Sequence, residues 1–64
     1  MVSPAELSSL VSALDELTRR VTALAESATS SKDEEASREL FAVERSLSGA
    51  TRRLARLTTT LGRR

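Results

Sequence analysis

The chain of 64 residues contains no cysteine, histidine, tryptophan or tyrosine, and only one phenylalanine, one proline and two glycines. Without cysteine there is neither a disulfide framework nor a thiolate metal site. Without histidine the chain lacks the side chain that titrates near neutral pH and most often serves as general base or metal ligand. The scarcity of aromatic rings removes stacking platforms for unpaired bases. Neither sign of charge dominates: ten Lys and Arg stand against nine Asp and Glu, for a net charge of +1. Any attraction to polyanions must therefore be local. No apolar run approaches the ~20 residues needed to cross a bilayer. The opening Met1-Val2-Ser3-Pro4-Ala5-Glu6 lacks the basic and apolar stretches of a secretory signal. A cytoplasmic location is the expectation, and Met1 followed directly by a helix cap reads as a native start.

What is present is helix punctuation. Ser3 can serve as N-cap, Pro4 suits the first helical position, and Glu6 can reach back to the Ser3 amide. Val2 and Leu7 are placed for a hydrophobic staple. The first helix is expected over about 4–28, ending where Ser27-Ala28-Thr29-Ser30-Ser31 sets hydroxyls in competition for backbone groups. A turn over about 29–32 follows. Ser31 with Glu34 reads as a second capping box, and Asp33, Glu34 and Glu35 complement the positive end of a new helix. That helix is expected over about 33–61, ending at Gly62. A connection of this length makes the two helices antiparallel neighbours, so residues 1–64 form one helical hairpin.

Apolar residues recur at alternating steps of three and four: Leu7, Leu10, Leu14, Leu17, Val21, Leu24 and Ala28, then Ala36, Leu40, Val43, Leu47, Ala50, Leu54, Leu57 and Leu61. That is a coiled-coil-like heptad seam, with Leu7, Leu14, Val21, Leu40, Leu47 and Leu54 at a and the intervening residues at d. Folding the chain at residues 30–31 sets Leu24 opposite Ala36, Val21 opposite Leu40, Leu14 opposite Leu47 and Leu7 opposite Leu54. The same register brings Glu6 near Arg53 and Arg20 near Glu39, and leaves Leu57 and Leu61 overhanging Leu7, with Met1 and Val2 to cover them.

A lone hairpin of this size has few means of stabilisation other than oligomerisation. The e positions are Val11, Thr18, Ala25, Ser37, Glu44, Thr51 and Thr58, one of them charged, and beside them stand Phe41, Ser48 and Ala55. This weakly polar flank predicts a homodimer that forms a four-helix bundle, with Val11, Phe41, Thr51 and Ala55 at the interface and Leu57 and Leu61 as a second contact. Gly49, with Ala42, Ser46 and Ala50, forms a strip of small residues that would let another helix approach.

Little else resembles a site for chemistry. The carboxylates have no pocket to shift a pKa, there is no glycine-rich phosphate loop, and no serine has a base beside it. The expectation is a non-enzymatic protein–protein interaction module, an adaptor or regulator, without cofactor or metal, whose partners are itself and another protein. The alternative is non-sequence-specific nucleic-acid binding through Arg52, Arg53, Arg56, Arg63 and Arg64, because no acid follows Glu44. These arginines also complement the negative end of the second helix. A membrane is not an expected partner, although residues 52–64 have the composition of a surface-bound helix.

Overall fold

Ser3 and Pro4 start the first helix as the cap chemistry predicts. In the computed structural model, which describes residues 2–63, the Ser3 hydroxyl accepts a hydrogen bond from the Glu6 amide at 3.1 Å. Pro4 occupies the first turn, where its missing N–H leaves no bond unmade. Helix α1 spans Pro4–Ser30 and helix α2 spans Glu34–Gly62. They fold back on each other into the expected all-α hairpin, a rod 49 Å long and 15 × 14 Å across.

The turn differs from the expected one. The hydroxyls near the end of α1 do not break the helix, because they bond backward onto it. Thr29 Oγ1 donates to the Ala25 carbonyl at 3.0 Å, and Ser31 Oγ donates to the Ala28 carbonyl at 3.2 Å. With its proton so committed, Thr29 Oγ1 accepts from Ser37 Oγ at 2.7 Å, which ties α1 to the first turn of α2. The chain then reverses through a Schellman arrangement. The Lys32 amide donates to the Thr29 carbonyl at 3.1 Å, and the Asp33 amide to the Ala28 carbonyl at 2.9 Å. This closure requires the left-handed conformation at Lys32, whose φ is 63°. Asp33 then caps α2, its Oδ1 accepting from the Ala36 amide at 3.1 Å. The capping box expected from Ser31 and Glu34 is therefore not formed. Ser31 closes α1, and the Asp33 carboxylate, an anion at a helix N-terminus, takes the cap.

The turn sets the register. Thr29 meets Ser37, and three heptads further along Ser8, Val11 and Ser12 line one groove with Ala55 and Thr58. The chain is thus folded about three residues later than residues 30–31, which brings the end of α2 level with the start of α1 and removes the expected overhang. It also separates Glu6 from Arg53 and Arg20 from Glu39. Among the described residues the ion pair present is Arg19–Glu16 at 2.8 Å, one turn apart on the exposed side of α1.

The strip along which the helices meet follows from this register. On α1 the buried or half-buried positions are Leu7, Val11, Leu14, Thr18, Val21, Ala25 and Ala28, joined by Thr22 beside the strip. On α2 the strip runs through Ser37, Leu40, Glu44, Leu47, Thr51, Leu54, Thr58 and Leu61, all half-buried. These are the columns labelled a and e, where a and d were expected. Threonine serves there as a small apolar residue. Thr18, Thr51 and Thr58 donate their hydroxyls to the carbonyls of Leu14, Leu47 and Leu54 at 2.7–2.8 Å, which leaves no unsatisfied donor at the contact. The core is thin: among the described residues, those buried are Leu7, Ala25 and Ala28.

A lysine in the left-handed region is about 1–2 kcal/mol less favourable than in its ordinary conformations. Lys32→Gly is therefore expected to raise stability by about 0.5–1 kcal/mol, after allowance for the greater freedom of glycine in the unfolded chain. Asp33→Ala is expected to lower it by about 1 kcal/mol through loss of the cap. Thermal unfolding followed by circular dichroism at matched concentration checks both.

Candidate functional site

A helix that packs against one neighbour through two heptad columns has no use for a third. Each helix here carries three apolar or weakly polar columns, and the hairpin consumes a and e. The large residues of the d column are left outside, while Ala36 and Ala50 of the same column are half-buried. Leu10, Leu17, Leu24, Val43 and Leu57 are between 42% and 59% exposed, which is large for branched aliphatic side chains in so small a molecule. Among the described residues they account for all the large exposed hydrophobics except Val2 near the start of the chain.

These side chains form one face. In an antiparallel pair, equal angular offsets from the contact strip point to the same side of the hairpin, so the d columns of α1 and α2 project together. The register brings Leu10 level with Leu57, Leu17 with Ala50, and Leu24 with Val43. The half-buried Leu14, Val21, Leu47 and Leu54 floor the space between the two rows. The result is an apolar face running most of the length of the rod, bordered by Glu6, Arg20, Glu39 and Arg53, all of which are exposed.

The interface residues expected from sequence are distributed over two other places. Val11 and Thr51 lie half-buried on the contact strip inside the hairpin. Ala55 is exposed on the opposite side, where it lines the shallow groove with Ser8, Ser12 and Thr58. Phe41 stands two heptads before Ala55 in the same column and is half-buried. Leu61 is half-buried at the end of the strip, whereas Leu57 belongs to the exposed apolar face. Leu10, Leu17, Leu24 and Val43, expected on the seam between the helices, stand exposed instead. The signal that places them outside was the presence of three non-charged columns per helix, together with threonines able to satisfy their own hydroxyls.

The small strip around Gly49 is not occupied by the partner helix: a β-carbon at Gly49 would meet nothing within 4 Å. It opens into a shallow groove on α2, lined by Arg45, Arg52, Arg53 and Arg56 with Ser46, Gly49 and Ala50, so the groove adjoins the apolar face at Ala50 and Arg53. Arg63 borders a second groove that shares Arg56. These arginines are all exposed, and Arg64 lies outside the described residues. No cluster of three carboxylates suited to a metal ion occurs among the described residues, and no helix is long and apolar enough to cross a membrane. The hydrogen bond from Arg19 to Glu16 and the charge of that carboxylate raise the Arg19 pKa above its ordinary value, so the guanidinium stays protonated.

Compared with models of known families, with characterised proteins and with solved structures, the chain matches none. Its faces must be interpreted on their own chemistry.

Two substitutions test the packing. Gly49→Ala is expected to stabilise the protein by about 1 kcal/mol, since the added methyl enters open space and improves helix propensity. Thr51→Val replaces a hydroxyl that bonds only its own helix, so it is expected to change stability by less than about 0.5 kcal/mol. Chemical denaturation of each variant measures both, and a large loss for Thr51→Val would place its hydroxyl in some other role.

Proposed function

We propose that this protein is a non-enzymatic interaction module that works as a homodimer, two hairpins pairing through their leucine faces into a four-helix bundle. The observation that carries this reading is the exposed double row of Leu10, Leu17, Leu24, Val43 and Leu57. A second copy is the natural occupant because the face is self-complementary. Its aliphatic rows have the spacing of a heptad bundle, and its borders carry both signs of charge.

In this bundle the a, d and e columns all become interior, which reconciles the leucines of the d column with the threonines of the e column. The remaining surface is then available to another protein, consistent with an adaptor or regulator. A cytoplasmic setting is part of the same proposal. The exposed rows are aliphatic, whereas Glu44 of the e column and the charged borders Glu6, Arg20, Glu39 and Arg53 lie beside them.

Light scattering across about a hundredfold range of concentration is expected to give a mass near twice 6.9 kDa. Replacing Leu10, Leu17 and Leu24 by serine is expected to weaken the dimer at least a hundredfold, because each half-exposed leucine contributes on the order of 1 kcal/mol when covered. Phe41→Ala, on the other side of the hairpin, is expected to leave the mass unchanged. A helical species that remains at 6.9 kDa throughout, or a dimer lost with Phe41 and kept without the three leucines, would overturn the proposal.

A further inference from the structure

The outer side of α2 carries a second organised surface that the leucine face does not explain. Arg38, Arg45 and Arg52 recur every seven residues, and Arg56 and Arg63 continue the same line. At about 100° per residue these five side chains fall within a band roughly 40° wide, and all five are exposed. The band is turned away from both the contact strip and the leucine face, so pairing of hairpins leaves it open.

Three features give the row its character. First, it is unneutralised over most of its length. Glu34 stands at its N-terminal end, no acid follows Glu44 in the chain, and among the described residues the ion pair present is elsewhere, on α1. Second, the residues between the arginines are small. Ala42, Gly49 and Thr59 keep the helix surface low, and a groove of about 460 Å³ lies among Arg45, Gly49, Arg52, Arg53 and Arg56. Third, the row is straight and long. From Arg38 to Arg63 it covers about 37 Å at 1.5 Å per residue, close to one turn of B-form duplex at about 34–36 Å.

Helix-dipole complementation accounts for cations in the last turn of a helix. It does not account for arginines at Arg38, Arg45 and Arg52, which lie in the first two thirds of α2. A flat anionic membrane is served by a helix that inserts its apolar face while its cations rest on headgroups. Here the leucines of α2 are turned to the hairpin and to its apolar face, and the row itself contains no large apolar residue to insert. A long, regular, rod-shaped polyanion matches a long, regular row of guanidinium groups, each able to hold a phosphate by two hydrogen bonds.

We infer that the outer face of α2 docks along the phosphate backbone of duplex nucleic acid, through Arg38, Arg45, Arg52, Arg56 and Arg63, without reading base sequence. The absence of tryptophan and tyrosine fits contacts confined to the backbone. This inference is independent of the dimer: a monomer presents one such row and a dimer two.

The test is binding of the full chain to a fluorescent DNA duplex of about 20 base pairs and arbitrary sequence, at a series of salt concentrations. Each engaged arginine contributes about 0.9 to the slope of log affinity against log salt. The slope is therefore expected to be at least about −4, which corresponds to a fall of several hundredfold between about 50 and 200 mM salt. Replacing Arg45, Arg52 and Arg56 together by glutamine is expected to reduce the slope by nearly 3 and the low-salt affinity at least a hundredfold. The same three changed to lysine keep the charge and are expected to retain most of the slope, which separates loss of charge from loss of fold. Light scattering on the same samples reports the oligomeric state separately. Absence of duplex binding at about 50 mM salt, a slope unchanged by the glutamine variant, or binding to phosphatidylglycerol vesicles in place of duplex would overturn the inference.

Discussion

The hydrogen bond from the Asp33 amide to the Ala28 carbonyl, at 2.9 Å, is the constraint on which the rest of the structure depends. It closes the last turn of α1 and at the same time delivers Asp33 to the cap of α2, so the end of one helix and the beginning of the next share a residue. So short a reversal leaves little freedom of rotation for either helix. The column that faces the partner, and the residue that faces each residue, are fixed within three positions of the turn. The register then propagates unchanged for three heptads, from Thr29 and Ser37 to Ser8 and Thr58. The left-handed Lys32 is the local strain that accompanies this closure.

From that register follows the division of labour among the apolar columns. Residues nearest the turn are small: Ala25 is fully buried and Ala28 nearly so. Close approach there brings the a and e columns together, and the threonines further along accommodate it by turning their hydroxyls back to their own helices. The leucines of the d column are displaced outward in consequence. A hairpin alone gains little from them, since no residue of α2 is buried and the core amounts to three side chains on α1. The same leucines become interior as soon as a second hairpin covers them. The thinness of the core and the width of the exposed face are thus two aspects of one arrangement, and the proposed dimer answers both.

The arginines of α2 belong to a different part of the molecule. A helix in a hairpin has an inner side committed to its neighbour and an outer side free of packing demands, and composition on the outer side is free to serve binding. On α1 the outer side mixes signs, as in the exposed Glu16–Arg19 pair, which adds little to stability at a fully solvated site. On α2 the outer side carries a row of one sign. The basic row and the apolar face thus occupy different sides of α2, and they adjoin at Ala50 and Arg53.

The amino-acid sequence by itself determined that there would be two helices and how the first is capped, because caps and helix propensity act over three or four residues. Ser3 and Pro4 were legible for that reason, whereas Asp33 took the cap expected of Ser31, and α2 runs through Gly62 with no left-handed glycine to stop it. The short connection was legible as well, and the helices do lie side by side as a hairpin. The sequence did not determine which two of three usable columns would meet. Leucine at d is the more apolar choice, and reading hydrophobicity alone puts Leu10, Leu17 and Leu24 inside. The tertiary structure decided otherwise, because the geometry of a three-residue turn fixes helix rotation, and rotation is a property of the joined pair that no single helix encodes. For the same reason the candidate binding face moved from the flank of Phe41 to the leucine rows, whereas the arginines, whose exposure needs no packing to establish, were visible from composition.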